Sequence, residues 1–208
     1  ADPDRLARLL DGWNPARIRA LGAAAVKLLV YFNPRRERAA VRQLALVAEV
    51  VRSSHALGLP VVLECLVFPT RGDGDSAAFR AEREALVIES ARALNELDID
   101  LYKAEFPLLP EQTDDAGAWL ESCARLSAAC RAPWALLSAG VSFERFARQL
   151  ECACQAGASG FIAGRAIWQE AVTAVDPGAR ERFLSGEMVA RLRRLTAIAE
   201  AHARPCAS

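Results

Sequence analysis

Two lysines and two carboxylates sit inside apolar runs of this chain, at Lys27, Glu64, Lys103 and Glu105. The run "IDLYKAEFP" (99–107) holds two of them and, Asp100 aside, otherwise has the composition of a buried strand. A lysine in low dielectric is costly unless it is paired or loses its proton. A lysine that has lost its proton at neutral pH is a nucleophile toward carbonyl carbon. Side chains alternate along a strand, so the parity that takes Lys27 inward also takes Leu29 and Tyr31. The same parity groups Val62, Glu64 and Leu66 in the next apolar run, and Leu101, Lys103 and Glu105 in the one after. Lys27, Glu64 and Lys103 are therefore expected on one face, at comparable heights. A neighbouring ammonium and partial burial would both favour a free amine at Lys103, with Glu64 or Glu105 to move protons. A buried ion-pair network that only fills space is the structural alternative, but apolar residues usually serve that purpose as well.

The elements that must carry these groups alternate regularly. Five apolar runs read as strands: "AVKLLVYF" (25–32), "PVVLECLVF" (60–68), "IDLYKAEFP" (99–107), "PWALLSAG" (133–140) and "GFIAGRAIW" (160–168). Amphipathic stretches at 34–57, 76–96, 116–130, 143–156 and 177–203 have helical spacing. Gly58 and Gly157 are placed to end helices, and Ser142 to cap one. "DPDRLARLLDGWNPARIRALGA" (2–23) reads as helix, with a second helix beginning after Asn14. Alternation of strand and helix predicts a parallel sheet covered by helices. A strand begins about every 26 to 39 residues, close to the repeat of a (β/α)₈ TIM barrel, whose eight units need ~250 residues. The reading is an α/β fold in which residues 1–208 form one barrel domain, of which five βα units and a preceding helix are visible. The chain starts with Ala, and the first strands of the barrel are expected to be absent. An open doubly wound sheet is the alternative, but no Gly-rich phosphate turn follows the first strand. Five strands alone would leave two edges and an open lumen, so such a sector is expected to be marginal unless further chain or another subunit covers it.

In barrels the loops after the last two strands often hold phosphate on backbone N–H groups and a helix N-terminus. Here the corresponding segments are Ser138-Ala139-Gly140 and Gly164-Arg165. The glycines would let backbone approach an anion and Arg165 would neutralise it. A lysine beside a phosphate site points to a phosphosugar substrate and a Schiff base. Arg71 and Asp73, in "PTRGDGDS", fall on the loop after the second strand, where Arg71 could meet a distal anion.

The rest of the composition excludes more than it assigns. Lysine plus arginine equals aspartate plus glutamate at 26 each, so no global field recruits nucleic acid or an anionic membrane. The apolar runs are too short to span a bilayer, and no leader with a cleavage site is evident. The six cysteines show no C-x-x-C spacing and read as reduced packing residues. The two histidines, His55 and His202, lie in helical segments, so neither a metal site nor another cofactor is expected.

Four segments together, "AVKLLVYF", "LDIDLYKAEFPLL", "PWALLSAGV" and "AGASGFIAGRAIW", resemble the strand motifs of the class I tagatose-bisphosphate and sulfofructose-phosphate aldolases. They stand in the same order and at similar spacing across essentially the whole chain. "FPTRGD" and "GASGFIAGRAIW" are more similar to the sulfofructose-phosphate branch. The resemblance implies a cytoplasmic, homo-oligomeric lyase with a complete (β/α)₈ barrel and no cofactor. By position Lys103 matches the Schiff-base lysine, and Lys27 and Glu64 match its companions. Ser138, Gly140, Gly164 and Arg165 match the phosphate-binding segment. The implied reaction cleaves 6-deoxy-6-sulfofructose 1-phosphate, in sulfoquinovose degradation, to dihydroxyacetone phosphate and 3-sulfolactaldehyde. Cleavage of tagatose 1,6-bisphosphate to glyceraldehyde 3-phosphate, or phosphosugar binding without catalysis, are the alternatives. Members of that family carry further N-terminal strands and site residues that have no counterpart here.

Overall fold

The computed structural model describes residues 4–71, 76–109 and 112–206. Five strands, β1 (Val26–Phe32), β2 (Val61–Val67), β3 (Leu101–Ala104), β4 (Trp134–Leu137) and β5 (Gly160–Ile162), form one parallel sheet in the order β1-β2-β3-β4-β5. This order separates the two expected architectures. A doubly wound sheet reverses its strand order and carries helices on both faces. Sequential parallel strands joined by right-handed crossovers keep their helices on one face, as in a barrel. The fold is thus a sector of a (β/α) barrel.

Side-chain burial follows that geometry. Val26, Val30 and Phe32 of β1, Val61, Leu63 and Cys65 of β2, and Tyr102 and Ala104 of β3 are buried in the core shared with the helices. The opposite parity, with Lys27, Leu29 and Tyr31 on β1 and Val62 and Leu66 on β2, is half-buried or exposed. The expected inward face is thus the less covered one.

Helices α1 (Pro15–Ala20), α2 (Glu37–His55), α3 (Ala77–Leu94), α4 (Ala116–Ala129) and α5 (Phe143–Gln155) match the amphipathic segments. Asn14 caps α1 by accepting from Arg17 N, with Pro15 at the first helical position. Ser142 caps α5, and Gly58 and Gly157 follow α2 and α5 with φ of +67° and +107°, conformations that disfavour any side chain. Among the described residues no helix is long and apolar enough to cross a membrane.

Three expectations are corrected. Residues 5–10 are not helical. Asp4 pairs with Arg36 at 2.9 Å, the Arg5 guanidinium lies over the Tyr31 and Phe68 rings, and Ala7 N donates to Gln43 Oε1. These contacts override a helical propensity that is only tenths of a kcal/mol per residue. The last strand ends at Ile162 rather than Trp168, and Arg165 opens helix α6 (Arg165–Thr173) behind Gly164. Apolar Ala166, Ile167 and Ala171 pack as one helical face, a pattern that an extended chain could not bury. The expected long helix at 177–203 is divided into α7 (Pro177–Arg182), a π-helical turn (Phe183–Glu187) containing Gly186, and α8 (Met188–His202). Only Leu195 of α8 is buried, and Leu192 is exposed.

Candidate active site

Glu64 and Lys103 occupy the last paired position of the β2–β3 ladder. Their inward parity turns both toward the less covered face. Lys103 Nζ donates to Glu64 Oε2 at 3.0 Å, and Lys27 Nζ lies 2.6 Å from the same oxygen. In register Lys27 is opposite Val62, one inward position below Glu64, so its side chain reaches upward to the carboxylate. The two lysines differ in setting: the Lys103 side chain is 15% exposed and that of Lys27 49%. Burial by itself would raise the Glu64 carboxyl. The bonds from Lys27 and Lys103 outweigh it and hold Glu64 below the ordinary carboxylate range. Its Oε1 takes no bond from the described residues, which leaves an acceptor for a ligand hydroxyl.

Glu105 does not join this group. Its carboxylate accepts from Val67 N at 2.8 Å and from Arg83 Nη2 at 3.0 Å, so both oxygens are committed to the scaffold. The strand ends at Ala104, and Glu105 turns from the face of Lys103 toward α3. Of the two carboxylates considered as proton carriers, Glu64 alone faces Lys103.

The expected anion-binding segments meet the Lys103–Glu64 pair. Glu64, Lys103, Leu137, Ser138, Ala139, Ile162, Gly164, Arg165 and Trp168 line one cleft of about 260 Å³. Val141 N donates to Ser138 O at 3.1 Å, and Ala139 and Gly140 both have positive φ, +49° and +81°. This is the pattern of a type I′ turn. A side chain on Gly140 would touch the Arg165 guanidinium, 3.6 Å from its Cζ, so the two segments are in direct apposition. Arg165 has no carboxylate partner among the described residues. Its charge and the first turn of α6 face the cleft together.

Trp168, lining the same cleft, was not among the expected residues. Had the helix start at Arg165 been recognised, Trp168 would have fallen one turn after Gly164 on the same side. Its indole edge lies 3.1 Å from where a Gly164 Cβ would be, so a side chain there would crowd the indole. Arg71 is exposed and does not line the cleft. Its loop is anchored just before it, where Asn33 Nδ2 donates to Phe68 O and Thr70 Oγ1 and Glu82 accepts from Thr70 N. Asp73 lies outside the described residues. No group of three or more His, Cys, Asp or Glu residues that could hold a metal ion occurs among the described residues.

Residues 2–170 match the model of the DeoC/LacD family aldolases. The chain belongs to this family. It is 30% identical over 183 residues to tagatose 1,6-diphosphate aldolase of Staphylococcus aureus, a match covering 81% of this chain and 56% of that protein. The fold is shared with the fructose-bisphosphate aldolase of Plasmodium falciparum, at TM-score 0.66 and 12% identity, over 91% of this chain and 61% of that one. It is also shared with the fructose-bisphosphate aldolase of Slackia heliotrinireducens, at TM-score 0.55 and 20% identity, over 88% and 56%. The chain thus spans little more than half the length of the relatives it matches.

Proposed function

We propose that this DeoC/LacD family chain carries the Schiff-base centre of a class I aldolase acting on a ketose 1-phosphate. The supporting observation is the juxtaposition, in one cleft, of the Lys103–Glu64 pair with Ser138, Ala139, Gly164 and Arg165. The neutral amine of Lys103 attacks the C2 ketone; the carbinolamine loses water to give an iminium. Glu64, 3.0 Å from the amine, accepts and returns the protons of these steps. The iminium then takes up the electrons of the C3–C4 bond as the C4 hydroxyl gives its proton to Glu64, and an aldehyde leaves. Protonation of the remaining enamine at C3 and addition of water release dihydroxyacetone phosphate and restore the amine. Lys27 keeps Glu64 ionised and orients it. The Ser138–Gly140 turn, Gly164 and Arg165 bind the 1-phosphate.

For the distal end the reading is an anionic group met by Arg71, with 6-deoxy-6-sulfofructose 1-phosphate as substrate and 3-sulfolactaldehyde as the aldehyde product. The similarity of "FPTRGD" and "GASGFIAGRAIW" to that branch supports it. The relationship to tagatose 1,6-diphosphate aldolase favours a second reading, tagatose 1,6-bisphosphate. Comparing cleavage of the two ketoses separates them. The reaction class is tested by incubating the protein with dihydroxyacetone phosphate, reducing with borohydride and mapping the adduct by peptide mass. An adduct on Lys103 is expected. An adduct on Lys27 would reverse the lysine roles. Absence of an adduct from folded protein that is still thermally stabilised by dihydroxyacetone phosphate would mark a phosphosugar-binding protein.

A further inference from the structure

An arginine stands in the apolar stripe of α3, between Phe79 and Leu86, and it is only 5% exposed. Arg83 Nη1 donates to Phe106 O at 2.8 Å and to Pro107 O at 2.6 Å, and Nη2 donates to Glu105 Oε1 at 3.0 Å. The other oxygen of Glu105 accepts from Val67 N at 2.8 Å. The backbone pairing between β2 and β3 stops at Glu64↔Lys103. Immediately above that rung a side chain takes over the role of the ladder, joining the end of β3 to the end of β2. The arginine holds that side chain and the two following carbonyls from behind.

We propose that Arg83 and Glu105 form a positioning clasp that sets the spacing of β2 and β3 at the level of Glu64 and Lys103. The inference rests on the reading of Lys103 as the Schiff-base lysine. Glu64 is three residues before Val67 on one strand, and Lys103 is two before Glu105 on the other, so a change at the clasp is felt at the rung below. A proton path 3.0 Å long tolerates little widening, since misplacement of about 1 Å can cost roughly 10²-fold in rate. An apolar residue at 83 would fill the same volume without the desolvation cost of a buried charge. The fork supplies what an apolar residue lacks, three donors aimed at one strand end.

The fold contains a matched control. At the opposite end of the same two strands Asp100 Oδ2 also bridges them, accepting from Val61 N at 2.6 Å with His55 Nε2 at 2.8 Å from the same oxygen, far from the cleft. The test is the rate of borohydride trapping by dihydroxyacetone phosphate in the wild-type protein and in Arg83→Met, Arg83→Lys, Glu105→Gln and Asp100→Asn variants, with the half-saturating ligand concentration and Tm read in parallel. A fall in maximal trapping rate of tenfold or more is expected in Arg83→Met, with less than a twofold change in half-saturation. Partial recovery is expected in Arg83→Lys, and Asp100→Asn should lose Tm while trapping at the wild-type rate. Equal slowing in Asp100→Asn, or wild-type trapping rates in Arg83→Met or Glu105→Gln, would overturn the clasp. If Arg83→Met does not fold, Glu105→Gln and Arg83→Lys decide the outcome. No adduct in the wild-type protein would instead overturn the Schiff-base reading itself.

Discussion

Lys103 and Glu64 face each other across the final rung of the β2–β3 ladder, and Lys27 approaches the same carboxylate oxygen from the strand on the other side. One carboxylate thus lies between two lysine side chains, at a point where the backbone pairing of two strands ends and the cleft begins. The arrangement makes Glu64 the member whose loss should be felt in both chemistry and stability.

Glu64→Gln should reduce aldol cleavage by roughly 10²–10⁴-fold, the usual contribution of a positioned acid–base group. Stability provides a second readout. Glu64 is held below the ordinary carboxylate value of 4.5, so its contribution is fully present above that pH in the folded protein and is lost as pH falls through the lowered value. Glu170, lowered by its bond from Arg191, adds to the same acid limb. Tm measured from pH 7 to pH 3 should fall less steeply in Glu64→Gln than in the wild type. Superimposable curves would remove Glu64 from the linkage.

The two lysines should be separable by covalent trapping. Lys103→Ala should give no adduct with dihydroxyacetone phosphate and borohydride. Lys27→Ala should still label Lys103, more slowly, because Glu64 loses one of its two partners. Mass mapping that finds label on Lys27 in the wild type would exchange the two assignments.

Arg165→Ala should raise the Michaelis constant for a ketose 1-phosphate about 10- to 100-fold, the worth of one charge-assisted contact, with a smaller effect on turnover. Gly140→Ala acts on the same spot differently. It forces a side chain into φ +81° and sets its Cβ against the Arg165 guanidinium. A stability loss of about 1–2 kcal/mol is expected in urea unfolding, the cost of a left-handed residue with a Cβ.

Arg71→Ala should raise the Michaelis constant for a doubly anionic ketose far more than it lowers turnover, and should leave a ketose with an uncharged distal end unaffected. Equal kinetics for both substrates would place the distal anion elsewhere.

Thiol reactivity offers a test of the fold without any ligand. Burial pushes the thiols of Cys65 and Cys130 up to about 12 and that of Cys154 to about 11, and pushes Cys123 and Cys152 upward as well. Cys206 is exposed. A colorimetric thiol reagent at pH 8 should titrate Cys206 rapidly in the folded protein, half-buried Cys130 slowly, and the buried Cys65, Cys123, Cys152 and Cys154 only on unfolding. Rapid reaction of two or more thiols would contradict the packing described above.

Much of this was legible in sequence because strand parity is a local rule. Once the five apolar runs were aligned, the even and odd positions of β1 to β3 separated core from cleft, and Lys103 and Glu64 fell together. The same rule misled at Glu105, because it holds only while the chain remains a strand. The chain leaves β3 at Ala104, and the partner that turns Glu105 aside, Arg83, lies on a helix whose packing no local pattern specifies. The "GFIAGRAIW" run failed for a related reason. A short apolar run does not distinguish strand from buried helix, and Gly164 marks the change only once the helix is known. Residues 5–10 have helical composition but are held by Asp4–Arg36 and by Arg5 over Tyr31 and Phe68, contacts across many residues of sequence.

The side-by-side order of β1 to β5 has a consequence for how this protein can be altered. Each part of the proposed centre arrives on a different βα unit: Lys27 on the first, Glu64 on the second, Lys103 on the third, the Ser138–Gly140 turn on the fourth and Arg165 on the fifth. No unit contributes two of these parts, and neighbouring units meet along contiguous strands. Segments exchanged at helix boundaries would therefore replace one part at a time without rethreading the sheet. The segment beginning at Arg71 is the natural first graft, since it follows the anchored Thr70 and carries none of these parts.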